Sequence, residues 1–472
     1  MDTIDLKKIK KIHFVGIKGI AMAALALWAK EAGFSVTGSD IDEHFPSDSE
    51  LVKAAITVDK GFYAAHIDIY MPNLVIYTGA HEGRDNVEVQ KAIELNIPVL
   101  PHGKALGAVM NEKRQISVAG SHGKTTTAAM IATILFSNGL DPSYAVGCGE
   151  IFGLGAGGHF GNGEFFVAEG DEYVTDPGHN STPRFLWQHP ELLVVTNIDF
   201  DHPDVYASLA DVKEAFVRLQ RNLVDIKTTI VNADERACDV LRRTGAVVSY
   251  GFSSQADYQI VDISYRSMRT FYSLKQKGKK IASFSLRVTG KHNALNGAAA
   301  AIACHTLGLS WEKIETGLLG FTGTKRRFEK LGEKRGILYY DDYAHHPKEI
   351  EATLSGARLW YPKRRIIAVF QPHTYSRTKA LLKEFGRSFY GADRVLVSDI
   401  YASARESDTM EVTSQVLVDE INKDKTTTFY AKGAIEVISY LKKEVRPNDI
   451  VIFMGAGDIY SWEKDVIDAL GA

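Results

Sequence analysis

The sequence predicts an α/β protein of three domains in series, each built on a mainly parallel sheet flanked by helices. Three observations predict it. Short apolar strands alternate with helical patterns along most of the 472 residues, the pattern expected of parallel sheets with helices on both faces. Two strands run directly into glycine turns that open a helix, at Gly16 and at Gly120. The length suits two to four domains at roughly 100–200 residues each.

The first unit spans residues 1–112. Lys11–Ile17 reads as a buried strand ending in a glycine turn, and a helical pattern runs from Ile20 to Ala32 and stops at Gly33. Phe34–Asp40, Leu74–Tyr77 and Ile97–Leu100 read as further strands, and the polar run Asn111–Arg114 marks the boundary. This unit reads as Rossmann-like. The second unit, residues 113–323, opens with a strand at Gln115–Gly120 and a helix at Thr126–Asn138. Its later strands are Phe165–Ala168, Leu192–Thr196 and Thr229–Asn232. Alternation from Tyr258 to Val288 predicts antiparallel strands, and an alanine-rich helix follows His292. It reads as ATPase-like with a phosphate loop. The third unit, residues 324–472, is again Rossmann-like, with strands at Leu338–Tyr340, Arg365–Phe370, Arg394–Val397 and Asp449–Phe453.

Composition excludes several classes. A net charge of -3 leaves no nucleic-acid footprint. The three cysteines, Cys148, Cys238 and Cys304, are far apart, so neither a metal cluster nor a disulfide framework is expected. The longest apolar stretch, Ala21–Ala29, is too short to cross a bilayer, and the N-terminus lacks the apolar core of a signal peptide. A cytoplasmic enzyme of small molecules is expected.

The sharpest motif is Gly120-Ser121-His122-Gly123-Lys124-Thr125-Thr126, set between a strand and a helix. Backbone N–H groups of such a loop point at phosphate oxygens. Lys124 supplies charge to the outer phosphates, and the Thr125 hydroxyl can bind the accompanying magnesium. Val118 stands where the usual pattern has its first glycine, so the loop is a shortened variant. Glu169 ends a strand, where ligands bind in open α/β sheets, and suits magnesium or nucleophile orientation. His202 follows another strand; residue chemistry alone leaves it open as a cation ligand or a structural histidine. Asp199 and Asp201 beside it suit turn or cap roles equally well. Gly16-Ile-Lys18-Gly19-Ile20-Ala21-Met22 approximates a dinucleotide fingerprint with Lys18 at the second glycine, and Asp40 ends the next strand as a ribose-binding acid would. It reads as a nucleotide diphosphate site; a nicotinamide oxidoreductase with an attached ATPase is the distant alternative. In the third unit, Asp342, Tyr343 and His345 follow one strand, and His373 and Arg377 follow another. Such clusters at strand ends suggest one shared pocket, and Arg377 suits bidentate carboxylate binding.

Together these motifs resemble the Mur ligases, the ATP-dependent amide-forming enzymes of bacterial cell-wall synthesis. The resemblance runs through the phosphate loop, Lys291-His-Asn-Ala-Leu-Asn296 and Lys325-Arg-Arg-Phe328, in order along nearly the whole chain. The glycine loop at Gly16, Asp342-Tyr-Ala-His-His-Pro347 and Phe370-Gln-Pro-His-Thr-Tyr-Ser-Arg377 are most similar to the branch that adds L-alanine to UDP-N-acetylmuramate. The resemblance implies that the first domain holds the UDP-sugar through the Gly16–Met22 loop and Asp40. It implies that Asn293, Asn296 and Arg327 join the phosphate loop in binding ATP. Lys124, Glu169, His202 and Arg327 would serve catalysis. Thr125 and Glu169 would hold one magnesium ion and His202 a second, with manganese as a substitute. Asp342, Tyr343, His345, His373 and Arg377 would line the amino-acid end, in a monomer or homodimer. Two features depart from the pattern: Thr374 stands where many members carry arginine, and Asp176–Pro183 is longer than usual. The second is similar to the branch that recycles whole murein tripeptides, which is the alternative for the amine.

Overall fold

The first sheet is fully parallel, in the order Thr57–Lys60, Ser35–Asp40, Lys11–Val15, Leu74–Tyr77, Val99–Pro101. The structure is a computed structural model and describes residues 6–202, 204–224, 228–402, 406, 409–423 and 427–471. Helix Ile20–Glu31 is apolar almost all round, because it is covered on both sides. One side packs on the first sheet. The other meets the central sheet, where the Trp28 and Phe166 rings lie 6.0 Å apart. Gly158 permits this approach: a Cβ there would stand 1.8 Å from the Ala24 carbonyl oxygen.

The central sheet has ten strands. Seven run parallel in the order Tyr258–Arg266, Val247–Gly251, Thr228–Asn232, Leu192–Val195, Arg114–Ala119, Phe165–Gly170, Ser143–Ile151. The expected antiparallel pairing extends that edge: Arg269–Gln276 runs against Tyr258–Arg266, and Lys279–Leu286 against Arg269–Gln276. The glycine-rich pair Ser143–Ile151 and Gly155–His159 forms the other edge, where sequence patterning indicated no strand. The helix after the phosphate loop starts at Lys124, two residues before the expected Thr126. It is sheathed by the central sheet and helices Lys291–Thr306 and Trp311–Gly320.

The third sheet runs Glu329–Lys334, Ile337–Asp342, Ile450–Met454, Ile366–Phe370, Arg394–Val397, Thr427–Tyr430, parallel except for the first strand. No helix among the described residues is long and apolar enough to cross a membrane.

The Asp176–Pro183 segment folds as a small hairpin, Val174–Asp176 against Asn180–Pro183. It is seated on the first domain. Tyr77 donates its hydroxyl to Asp176 at 3.1 Å, and His179 lies 2.7 Å from Asp85. Gly83 leaves room for Asp176, whose Oδ1 would sit 2.2 Å from an added Cβ.

Candidate active site

Parallel strands present their carboxyl ends at one edge, and the register fixes what meets there. Ala119 pairs with Gly170 on one side and Val195 on the other. The phosphate loop therefore emerges between the segment at Glu169–Glu172 and the segment at Thr196–His202. Both sides grip it. The Thr196 hydroxyl and the Asn197 amide donate to the His122 carbonyl at 2.5 and 2.9 Å. Ser121 Oγ accepts the Asp199 N–H at 2.9 Å. Val118 is a buried residue within the strand, so the loop proper begins at Gly120, which explains the missing first glycine. Gly123 has a φ of 82°, and a Cβ there would stand 2.6 Å from Asn296 Oδ1.

Two cavities meet at this loop. The first holds about 290 Å³ and joins all three domains. Ser121, Gly123, Lys124 and Thr125 form its floor with Glu169 and His202. Ile20 and Ala21 enter from the first domain, and Arg327, Tyr343 and His345 from the third. The second cavity, about 200 Å³, is lined by His122, Thr126, Asn293, Asn296, Arg327 and Asp342. Thus Asp342 sits on the opposite side from Tyr343 and His345, on the Asn293 side. Gly16, Lys18, Gly19, Met22, Asp40, Gly120, His373 and Arg377 line neither cavity. Asp40 is buried, and its carboxylate accepts the N–H groups of Lys18 and Ile41 at 2.7 and 2.8 Å. It holds the glycine loop in shape. The Lys18 ammonium turns away to the carbonyls of Ile41 and Glu43.

Charge is concentrated on the floor. Burial works against the Lys124 charge, but Glu172 and Asp171 outweigh it and hold its pKa above the usual value. Its ammonium lies 3.0 Å from Glu172. Burial raises the pKa of Glu169, with Lys124 opposing. Glu169 Oε2 accepts the Thr125 hydroxyl at 3.1 Å, and Oε1 accepts the Gly147 N–H. A hydroxyl and a carboxylate at this spacing are oxygen donors that fit a hard divalent cation. His202, with its ring 4.9 Å from Tyr173, faces the same cavity.

Sequence reasoning missed two features. Arg377 donates to Asp201 at 3.0 Å across the domain boundary and also contacts His373 Nδ1 at 3.2 Å. Glu349 is a hub. It lies 3.3 Å from both His122 and His345 and 3.6 Å from Arg327. Its signal was present in the sequence, because His346-Pro347-x-Glu349 forms a capping box at a helix start. Thr374 caps the helix that carries Arg377, accepting the Arg377 N–H at 3.4 Å.

Comparison with known proteins agrees with this layout. The family model described as "Mur ligase family, catalytic domain" matches residues 11–114, "Mur ligase middle domain" matches 162–304, and "Mur ligase, glutamate ligase domain" matches 326–457. The UDP-N-acetylmuramate–L-alanine ligase of Desulfitobacterium hafniense is 40% identical over 457 residues, covering 97% of this chain and 99% of the relative. The enzyme of the same name from Caldanaerobacter subterraneus is 41% identical, covering 97% of each. The crystal structure of UDP-N-acetylmuramate-alanine ligase from Thermotoga maritima superposes with a TM-score of 0.82 at 28% identity, covering 97% of this chain and 98% of that one. With its three domains matched in order and its length covered by such relatives, the chain belongs to the Mur ligase family.

Proposed function

We propose that this protein uses ATP to join L-alanine to the lactyl carboxylate of UDP-N-acetylmuramate, a step of peptidoglycan precursor synthesis. One observation carries the reading: Lys124, Thr125, Glu169 and His202 share a single cavity with first-domain and third-domain residues. Three substrates can meet there only if three domains contribute. In this reading residues 1–112 bind the UDP-sugar, 113–323 bind ATP, and 324–472 bind the amino acid.

A carboxylate oxygen is a poor leaving group and phosphate a good one. The lactyl carboxylate attacks the γ-phosphorus of ATP, ADP leaves, and an acyl phosphate forms. The amine of L-alanine then attacks the acyl carbon, phosphate leaves, and the amine proton passes to solvent or a neighbouring base. Lys124 stabilises charge spreading over the transferring phosphoryl group. The backbone N–H groups from Gly120 to Thr126 hold the phosphates, and Asn293, Asn296 and Arg327 hold the rest of the nucleotide. Thr125 and Glu169 would hold one magnesium ion and His202 a second, which supply further charge neutralisation when bound. Burial pushes the His345 pKa down to about 4, so its ring beside the amine is neutral. Positioning does the remaining work.

Phosphate release tests the proposal. It should require ATP, magnesium, UDP-N-acetylmuramate and L-alanine together. Turnover with a murein tripeptide in preference to L-alanine would reassign the amine. ATP hydrolysis without the sugar acid and amine would overturn the ligase reading.

A further inference from the structure

The turn Gly455-Ala456-Gly457-Asp458 follows strand Ile450–Met454 and takes no part in the chemistry above. Gln371 grips it from both sides. Its Nε2 donates to Asp458 at 2.6 Å, and its Oε1 accepts the Ile459 N–H at 3.1 Å. Gly457 makes this possible, since a Cβ there would stand 2.3 Å from Gln371 Oε1 and 2.7 Å from Tyr401 Cγ. The turn sets the short helix Ile459–Trp462, which carries Tyr460. Arg326 backs the Tyr460 ring, with its guanidinium carbon 4.7 Å from the ring centroid. The guanidinium is itself fixed by the Gly455 carbonyl at 2.7 Å and by Asp341 at 2.9 Å. A planar cation stacked on an aromatic face sets the direction of the ring.

From this rigid mount the Tyr460 hydroxyl crosses to the first domain and donates to the His44 carbonyl at 2.5 Å. Burial pushes the Tyr460 pKa up to about 12, so the hydroxyl stays a donor at neutral pH. His44 belongs to loop 41–47, which leaves strand Ser35–Asp40. Lys18 holds this loop from inside, donating to the carbonyls of Ile41 at 3.1 Å and Glu43 at 2.8 Å. Ser47 donates back to the Lys18 carbonyl. The lysine that replaces a glycine of the fingerprint thus serves the loop. Pro46 of the same loop lines the first cavity beside Ile20 and Ala21, where the glycine loop opens helix Ile20–Glu31. Loop 41–47 is therefore gripped from two domains, and it walls the first-domain side of the cavity.

The second cavity is lined by His122 and Asn293 of the central domain and by Asp342 and Lys348 of the third. A nucleotide bound there touches both domains, so it favours the arrangement in which Tyr460 reaches loop 41–47. We propose that Tyr460 is a positioning residue that passes this closure to the sugar-nucleotide site. Nucleotide binding between the central and third domains seats Tyr460 on the loop, and the loop holds the sugar nucleotide in the first cavity. The identity of that sugar nucleotide rests on the proposed function. Such coupling is reciprocal: whatever the nucleotide adds to sugar binding, the sugar adds to nucleotide binding.

The test is calorimetric binding of UDP-N-acetylmuramate to wild type and to Tyr460→Phe, each with and without the β,γ-methylene analogue of ATP and magnesium. Phenylalanine keeps the ring on Arg326 and removes the one hydroxyl. In wild type the analogue should tighten sugar-nucleotide binding. Tyr460→Phe should lose roughly 2- to 10-fold of that tightening, the worth of one hydrogen bond, with unchanged affinity when the analogue is left out. Equal tightening in the two proteins would overturn the proposal, as would no tightening in wild type. A loss of the same size with and without the analogue would show a structural role alone and overturn it too. Hydrogen exchange at residues 41–47 needs no sugar: with the analogue bound, these amides should exchange roughly 2- to 10-fold faster in Tyr460→Phe. Equal exchange rates would overturn the contact. Failure of UDP-N-acetylmuramate to bind wild type would count against the ligase reading, and the exchange rates would still decide whether Tyr460 holds the loop.

Discussion

Replacing Arg377 separates two roles that this side chain combines. Arg377 and Asp201 come from different domains and pair at 3.0 Å, with side chains 7% and 8% exposed. Burial opposes the Asp201 charge, but His202 and Arg377 outweigh it and hold its pKa well below the usual value. The carboxylate is therefore ionised at neutral pH. Arg377→Ala strands that charge, and removing one partner of a buried pair costs about 3–5 kcal/mol. If Arg377 also binds the amino-acid carboxylate, losing a charged hydrogen bond of about 1.5–3 kcal/mol raises the amino-acid KM roughly 10- to 150-fold. The double variant Arg377→Ala/Asp201→Asn distinguishes the two. It removes the stranded charge, so stability in urea should return most of the way while the raised KM persists. Denaturation curves and saturation kinetics in L-alanine are the assays. A normal KM in the double variant would show that Arg377 serves only to neutralise Asp201. A loss below about 1 kcal/mol in the single variant, typical of an exposed pair, would mean that the two domains are not joined this way in solution.

Three further outcomes are expected. Lys124→Ala should abolish phosphate release, and a near-normal rate would remove the phosphate-loop assignment. Burial lowers the His122 pKa, but Asp199 and Glu349 outweigh it and raise the value to about 9. A raised histidine contributes fully below its unfolded value of about 6.5, and the contribution is lost as pH rises through the folded value. The melting temperature of wild type should therefore fall more between about pH 6.5 and 9 than that of His122→Gln; parallel profiles would contradict the contact. Gly83→Ala should unseat the hairpin, since φ is 52° and the new Cβ would stand 2.2 Å from Asp176 Oδ1. Limited proteolysis should then cut between Val174 and Pro183, and an uncut segment would argue against the docking.

Local signals made much of this molecule legible. The strand, glycines, lysine and threonines at Gly120–Thr126 are contiguous, so their chemistry needs no tertiary knowledge. The same holds for the strand-end clusters at Glu169, His202 and Tyr343. Glycine hid the strands Ser143–Ile151 and Gly155–His159, because it weakens the usual strand pattern. One of them, Gly158, is where the strand pair closes on helix Ile20–Glu31 at Ala24. Asp342 and Tyr343 are adjacent in sequence yet line different cavities, which no cluster count reveals. Asp40 stands at a ribose-binding position by spacing, and only the fold shows its carboxylate also accepting the Lys18 and Ile41 N–H groups. The Arg377–Asp201 pair joins residues 176 apart, and Glu349 gathers His122 and Arg327 from other parts of the chain. Such pairings exist only after folding.

The central claim is that a sugar carboxylate takes the γ-phosphoryl group of ATP in the cavity over Lys124. It is tested most directly by labelling both oxygens of the lactyl carboxylate of UDP-N-acetylmuramate with oxygen-18. Mass spectrometry of the phosphate released in the presence of ATP, magnesium and L-alanine then reports the path. An acyl phosphate predicts one labelled oxygen in each phosphate, carried over from the carboxylate. Unlabelled phosphate would mean that water took the phosphoryl group, and would contradict the account.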